Sequence, residues 1–462
     1  MKTIVALVLA LFAALSQAQN RAPHEQLAFG IYKELLEINT VTDTGDTARA
    51  ADAMAARLLA AGYPVEDVHV FKPAPRKGNL VAKLRGTGAK KPMILMAHID
   101  VVEARREDWT TDPFQLVEKD GYYYARGSGD DKYMAAAFVA NMVRYKKEGY
   151  KPDRDIILIL ETDEETDGAY THGIGWLLKN QRALIDAEFA INEGGGVGLD
   201  KGRPIRVGVQ TSEKVYMNFS LEVRDPGGHS SLPGRTNAIY RLAAGLVRLG
   251  QLDFPMELND TTRLYLQRAA DFEDPKIGAD MKAVAAPNPD PAAAARLSAI
   301  PRFNAQIRTT CVATMLEGGH AENALPQLAK ALVNCRVLPG HSRDEVKRAL
   351  DLALADDGIE VKPAGNVLPS PASPITPEVF GAIDKLAGEF WPGAPVIPVM
   401  SAGASDGAFM RNAGIATYGH SGLAGDVSEN RAHGRDERVP VNSFYQGVEY
   451  LYRLAKALGG GR

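Results

Sequence analysis

Four separated stretches of the chain carry histidines or carboxylates, and three of them directly follow an apolar run. Met93-Ile-Leu-Met-Ala leads into His98-Ile-Asp100. Residues two apart in a strand face the same way, so Asp100 can sit beside His98. A carboxylate on the second ring nitrogen would orient a metal-bound imidazole. Ala125-Arg-Gly-Ser-Gly-Asp130-Asp131-Lys132 opens a helix, and either aspartate would serve as its cap. Ile156-Ile-Leu-Ile-Leu ends in a run containing Asp163, Glu164 and Glu165. Phe189-Ala-Ile-Asn ends at Glu193, followed by glycines that leave backbone room beside a crowded site. Singly, each has a plain reading: a satisfied polar histidine, a helix cap, a solvated charge run.

Together they point to metal chemistry. One imidazole among several carboxylates suits a borderline divalent ion such as zinc, and so acidic a cluster would repel itself without one. Two ions sharing a bridging carboxylate, with another carboxylate to take a proton from water, explain the surplus of acids.

The elements that must position these groups follow from periodicity. Between Pro23 and about Thr211, near-continuous apolar strands alternate with helices, such as Ala48 to Ala61. That texture predicts an α/β fold with a mainly parallel sheet flanked by helices, whose ligand groups gather at the carboxyl ends of the strands. After Thr211 the run from Val215 to Val223 alternates apolar and polar residues, a strand with one wet face. A smaller inserted α+β domain is expected there, with 252–304 as an irregular or helical excursion. The expected organisation is 1–18 as a leader, 22–212 as the first part of the catalytic domain, 213–365 as the insertion, and 366–458 as the second part.

The chain of 462 residues is too long for one ordinary core, and its net charge of −4 is spread over mixed signs. No basic block invites nucleic acid or an anionic membrane. Lys2, the apolar run Ile4 to Leu15 and Ser16-Gln-Ala18 read as a secretory signal cut after Ala18, too short for a stable membrane anchor. A periplasmic or secreted protein is therefore expected. Cys311 and Cys335 can pair or stay as buried thiols; two cysteines do not make the usual structural zinc site.

From about residue 25 to 455 the sequence resembles the dinuclear zinc hydrolases that include carboxypeptidase S, aminoacylases and succinyl-diaminopimelate desuccinylase. The resemblance is nearest to carboxypeptidase S and the secreted N-acyl amino acid hydrolases. It is carried by His98-Ile-Asp100-Val-Val, Gly121 to Lys132, Asp163-Glu-Glu165, Gly228-His-Ser-Ser-Leu-Pro233, Asn323-Ala-Leu-Pro326 and Asn334-Cys-Arg-Val-Leu-Pro-Gly340. It implies that His98 and Glu193 hold one zinc, Glu165 and His433 the other, and Asp130 bridges them. Glu164 would be the general base and Asp100 would orient His98. The insertion would be a lid whose His229 stabilises the oxyanion, with Asn323, Arg336 and Ser405 (in Gly403-Ala-Ser-Asp406) near substrate. Ala125 and Tyr133 replace usual glycines, and Asp436 stands where asparagine is common.

The expected function is an exported zinc hydrolase, two Zn2+ per chain with Co2+ or Mn2+ as alternatives. Its substrate would be a small peptide with a free C-terminal carboxylate. N-acyl amino acid amidohydrolysis is the near alternative, and non-catalytic peptide binding the remote one. A homodimer through the lid is the expected assembly.

Overall fold

The computed structural model describes residues 21–166 and 171–461, so the expected leader, 1–18, lies outside the described residues. The chain divides into two compact units, Met1–Val207 with Thr376–Ala394 and His420–Arg462, and Gly208–Ile375 with Pro395–Gly419. Residues 208–212, 366–375 and 395–419 thus group with the second unit, whereas the sequence reading placed them with the first.

In the first unit β1 (Val68–Ala74), β2 (Lys77–Leu84), β3 (Met93–His98), β4 (Ile156–Glu161) and β5 (Phe189–Asp200) lie in the sheet order β1-β2-β4-β3-β5. β3 runs parallel to both β4 and β5, while β2 joins β4 and β1 antiparallel at the edge. Every residue of β3 and β4 is buried, as expected for strands covered on both faces, and this accounts for their unbroken apolar runs. The register sets His98 opposite Glu161. The acids after β4 therefore emerge at the same end of the sheet as His98 and Asp100.

Helix α1 (Pro23–Glu37) buries Ile31, Tyr32, Leu35 and Leu36, and α2 (Thr47–Ala60) is capped by Asp46. The glycine-rich turn runs into α3 (Lys132–Glu148), which is buried along most of its length and ends at Gly149 in the left-handed conformation.

The second unit contains a four-stranded antiparallel sheet. Its strands β6 (Val215–Arg224), β7 (Thr310–Gly318), β8 (Leu328–Val337) and β9 (Glu360–Ala364) are ordered β7-β8-β6-β9. Strict alternation puts Val215, Met217, Phe219, Leu221 and Val223 into a core with Val333, Val337, Leu242 and Leu350, leaving the other face wet. The excursion is helical. Asp274-Pro275 and Asp290-Pro291 supply a cap and a first helical residue in succession, and the helices close a separate core around Leu266, Met281, Phe303 and Ile397. Cys311 and Cys335, directly opposite across β7 and β8, form a disulfide.

Candidate metal centre

His98 at the end of β3, the acids after β4 and Glu193 within β5 converge with Asp130 and His433, which come from loops. His98, fully buried, presents Nε2 at 3.0 Å from Asp130 Oδ1 and 3.8 Å from Glu193 Oε2. His433 presents Nε2 at 3.1 Å from Asp130 Oδ2 and 2.9 Å from Glu165 Oε1. The two oxygens of Asp130 thus face two different histidines. Possible ligand atoms of His98, Glu164 and Glu193 lie within 4.8 Å of one another, as do those of His98, Asp130 and Glu165.

Asp100 works from behind. Its backbone carbonyl lies 3.1 Å from His98 Nδ1 and its carboxylate 3.7 Å from the same nitrogen. The same carboxylate accepts the backbone N–H groups of Glu164 (3.2 Å) and Glu165 (3.1 Å). One buried side chain therefore fixes the imidazole and the turn that carries two further acids. Burial would push the Asp100 carboxyl up, but His98 and these N–H groups hold it below the usual range.

Asp130 does not act as a helix cap. Asp131 is the N-cap residue of α3, without a capping bond from its side chain, while Asp130 reaches both histidines. Its loop is clasped by Glu437, a residue the motifs did not single out. The buried Glu437 carboxylate accepts N–H groups from Gly127 (3.0 Å), Gly129 (2.8 Å) and Asp130 (3.2 Å), and pairs with Arg126 Nη1 at 2.8 Å. Burial raises its carboxyl above the ordinary value, against these donors. The signal available in the sequence was an acid four residues after His433 in a loop with an arginine partner upstream. His433 itself and Asp436 adopt positive φ, 61° and 52°, as does Asp163 at 63°. Such non-glycine strain gathers where surrounding contacts hold a functional loop in place.

The departures from the family pattern are accommodated here. Asp436 Oδ1 accepts both the N–H and the hydroxyl of Thr110, each at 2.9 Å, which a carboxylate does as well as an amide oxygen. Tyr133 is buried, and its hydroxyl lies where a Cβ on Gly447 would come within 1.9 Å.

Electrostatically, the cluster calls for cations. Asp130 and then Glu165 lift the His433 ring to about 10. Burial pulls His98 down, yet Asp100 and Asp130 hold it well above its ordinary value. A pocket that keeps protons on two histidines is one where divalent ions would displace them. The donor set fits a metal pair: two imidazoles, one carboxylate shared between them, and further carboxylates on either side.

The sequence-predicted residues of the second unit fall into three places. His229, exposed, pairs opposite Ala324 in a two-stranded ladder, and the carbonyl of Asn323 accepts the N–H of Ser230, so His229 and Asn323 are neighbours. His229 Nδ1 accepts from Ser231 N (3.1 Å), which leaves the proton of a neutral ring on Nε2. Arg336 stacks its guanidinium 4.6 Å from the centre of the Tyr216 ring. Ser405 donates to the buried Glu213 carboxylate at 2.8 Å.

A mainly parallel sheet with a histidine and acids along its strand ends, and one carboxylate between that histidine and a second from a loop, defines a metal-dependent hydrolase. The chain belongs to peptidase family M20/M25/M40, whose model matches residues 94–457. It is 30% identical over 378 residues to the N-fatty-acyl-amino acid synthase/hydrolase PM20D1 of Homo sapiens, covering 79% of this chain and 73% of that one. It is 28% identical over 385 residues to a probable carboxypeptidase S-like 2 of Dictyostelium discoideum, covering 79% and 71%. In fold it is similar to an M20 family metallo-carboxypeptidase from Sulfolobus solfataricus (TM-score 0.69, 19% identity, 94% of this chain and 99% of that one). The protein is an enzyme of the peptidase and amidohydrolase class. Among the described residues no helix is long and apolar enough to cross a membrane.

Proposed function

We propose that the protein is an exported hydrolase of small peptides with a free C-terminal carboxylate, of carboxypeptidase or dipeptidase type, and that it uses two zinc ions. The observation that carries this reading is the Asp130 carboxylate, one oxygen toward His98 and the other toward His433. His98 and Glu193 would hold one ion, Glu165 and His433 the other, with Asp130 between. Bound there, the ions would polarise the amide carbonyl and make water more acidic. Glu164 takes the proton from the attacking water and returns it to the leaving amine. His229 donates Nε2–H to the carbonyl oxygen as it gains charge, from its own chain or from a partner. Asn323, Arg336 and Ser405 belong to substrate recognition, Ser405 by shaping its loop. The paired cysteines support export, since disulfides persist in oxidising compartments.

A second copy is the proposed partner. β7 is an edge strand with exposed Val312, Met315 and Leu316, near a helix that exposes Tyr240 and Val247. An unpaired apolar edge of this kind suits isologous strand pairing.

N-acyl amino acid amidohydrolysis is the second reading, favoured by the likeness to the N-fatty-acyl-amino acid synthase/hydrolase PM20D1. Product analysis of zinc-loaded protein on dipeptides and N-acyl amino acids tests both. Release of free amino acids from dipeptides supports the first, and turnover confined to N-acyl substrates supports the second. Retention of every compound unchanged would leave only peptide binding.

A further inference from the structure

Lys214 immediately precedes β6 of the second unit's sheet and is 1% exposed. Among the described residues its ammonium meets the Thr310 hydroxyl at 3.3 Å and no carboxylate. The adjacent Glu213 does not neutralise it. That carboxylate is taken by Arg411 (2.8 Å), Ser405 (2.8 Å), Gln210 (3.1 Å) and Ser370 (3.2 Å). The charge that acts on Lys214 is instead another cation, Arg336; burial and that neighbour lower the ammonium to about 8. It therefore still carries its proton at neutral pH.

The register puts both cations on one face. Tyr216 lies opposite Arg336 across β6 and β8, and Thr310 lies opposite Arg336 across β8 and β7. Lys214 Nζ reaches the Thr310 hydroxyl at 3.3 Å, which brings its ammonium to the same face. The guanidinium carbon lies over the Tyr216 ring, 4.6 Å from its centre. The Tyr216 hydroxyl accepts from Asn218 Nδ2 at 3.1 Å, and Asn334 Nδ2 donates to Asn218 Oδ1 at 2.8 Å. The ring lies to one side of the guanidinium, and its N–H donors meet no carboxylate among the described residues. Two cations side by side, one of them buried, form an arrangement that an anion would relieve.

We propose that Lys214 and Arg336 form a receptor for one carboxylate, with Lys214 as a specificity-determining residue and Tyr216, Asn218 and Asn334 as positioning residues. The proposal rests on the reading above that the substrate ends in a free carboxylate, and deepens it by naming the second cation. A planar guanidinium edge fits two oxygens, and a buried ammonium adds a point charge that an amide-capped ligand cannot use.

The test compares N-acetyl amino acids with their C-terminal amides on the zinc-loaded enzyme. Lys214→Met should reduce the preference for acid over amide by roughly 10–100-fold, the loss of one charge-assisted hydrogen bond. The change should appear in KM rather than kcat, and Lys214→Arg should restore most of it. An unchanged acid-to-amide ratio in folded Lys214→Met overturns the proposal. A parallel measurement uses calorimetry in the Glu164→Gln holoenzyme, so that binding is read without turnover. Tighter binding of the acid than the amide, lost in Lys214→Met and in Arg336→Leu, supports the receptor. Equal binding of acid and amide before any change at Lys214 overturns it. If none of the compounds is hydrolysed, the functional reading fails, yet the calorimetric arm still decides the receptor.

Discussion

Glu164 and Glu165 are neighbours on one turn with separate proposed tasks, and substitution distinguishes them. Glu164→Gln should lower kcat by about 10²–10⁴-fold, the usual worth of a general base, while metal content stays the same. Glu165→Gln should lose metal as well, because its carboxylate faces His433. Metal analysis beside steady-state kinetics checks both; equal metal loss in the two variants would collapse the distinction. These two acids were legible because they follow a buried strand whose register is set by its neighbours. His433 was legible only through family resemblance. It meets Glu165 across 268 residues, from a loop with positive φ and no periodicity. Glu437 was missed for the same reason: its partners are backbone N–H groups, which no sequence pattern displays.

At the level of elements, the glycine-rich loop before α3 depends on its clasp. Glu437→Ala would leave Arg126 buried without its anion and three N–H groups without an acceptor. The expected loss is about 3–5 kcal/mol, with weakened metal retention, read by thermal melting and metal analysis. The packing of α3 supplies a second case. A methyl on Gly447 would come 1.9 Å from the Tyr133 hydroxyl and 2.9 Å from the ring carbon bearing it. Gly447→Ala should destabilise by about 1–3 kcal/mol, and Tyr133→Gly should relieve much of that extra cost in a double-mutant cycle. Additive effects would mean the two do not meet. Tyr133 looked in the sequence like an unexplained departure; its accommodation lies over 300 positions away on the last helix. The sheet and its helices were readable from period and apolar run. The excursion at 252–304 was open between loop and helix because its alanines and prolines carry no clear stripe, though its Asp-Pro starts follow ordinary capping chemistry.

For the whole molecule, the proton-holding histidines predict how metal and pH act together. His433 is raised to about 10, chiefly by Asp130 and then Glu165. In metal-free protein that gain is fully present below the ordinary histidine value near 6.5, and it fades as pH climbs toward about 10. Metal ligation needs the neutral ring, so affinity rises over the same interval. The difference in Tm between zinc-loaded and chelator-treated protein should therefore widen from about pH 6 to 9. A difference that narrows would place metal binding on other groups. The proposed dimer is tested separately: Leu316→Asp should shift the protein to monomer in analytical ultracentrifugation, and an unchanged assembly would exclude β7 from the interface.

The clasp between the Asp130 loop and Glu437 also orders events during synthesis. Asp130 leaves the ribosome long before His433 and Glu437, which lie near the end of the chain. Until those residues arrive, the loop has neither its buried acceptor nor the second imidazole facing Asp130. A nascent chain passing through a compartment that holds zinc thus carries most of the ligands without the finished centre. In the proposed centre, metal would be captured tightly only after the tail has docked, which would make the last thirty or so residues a gate on maturation. A full-length His433→Ala chain, which keeps the buried last helix (Val441–Gly459), should hold its helix and strand signal while failing to retain metal on dialysis.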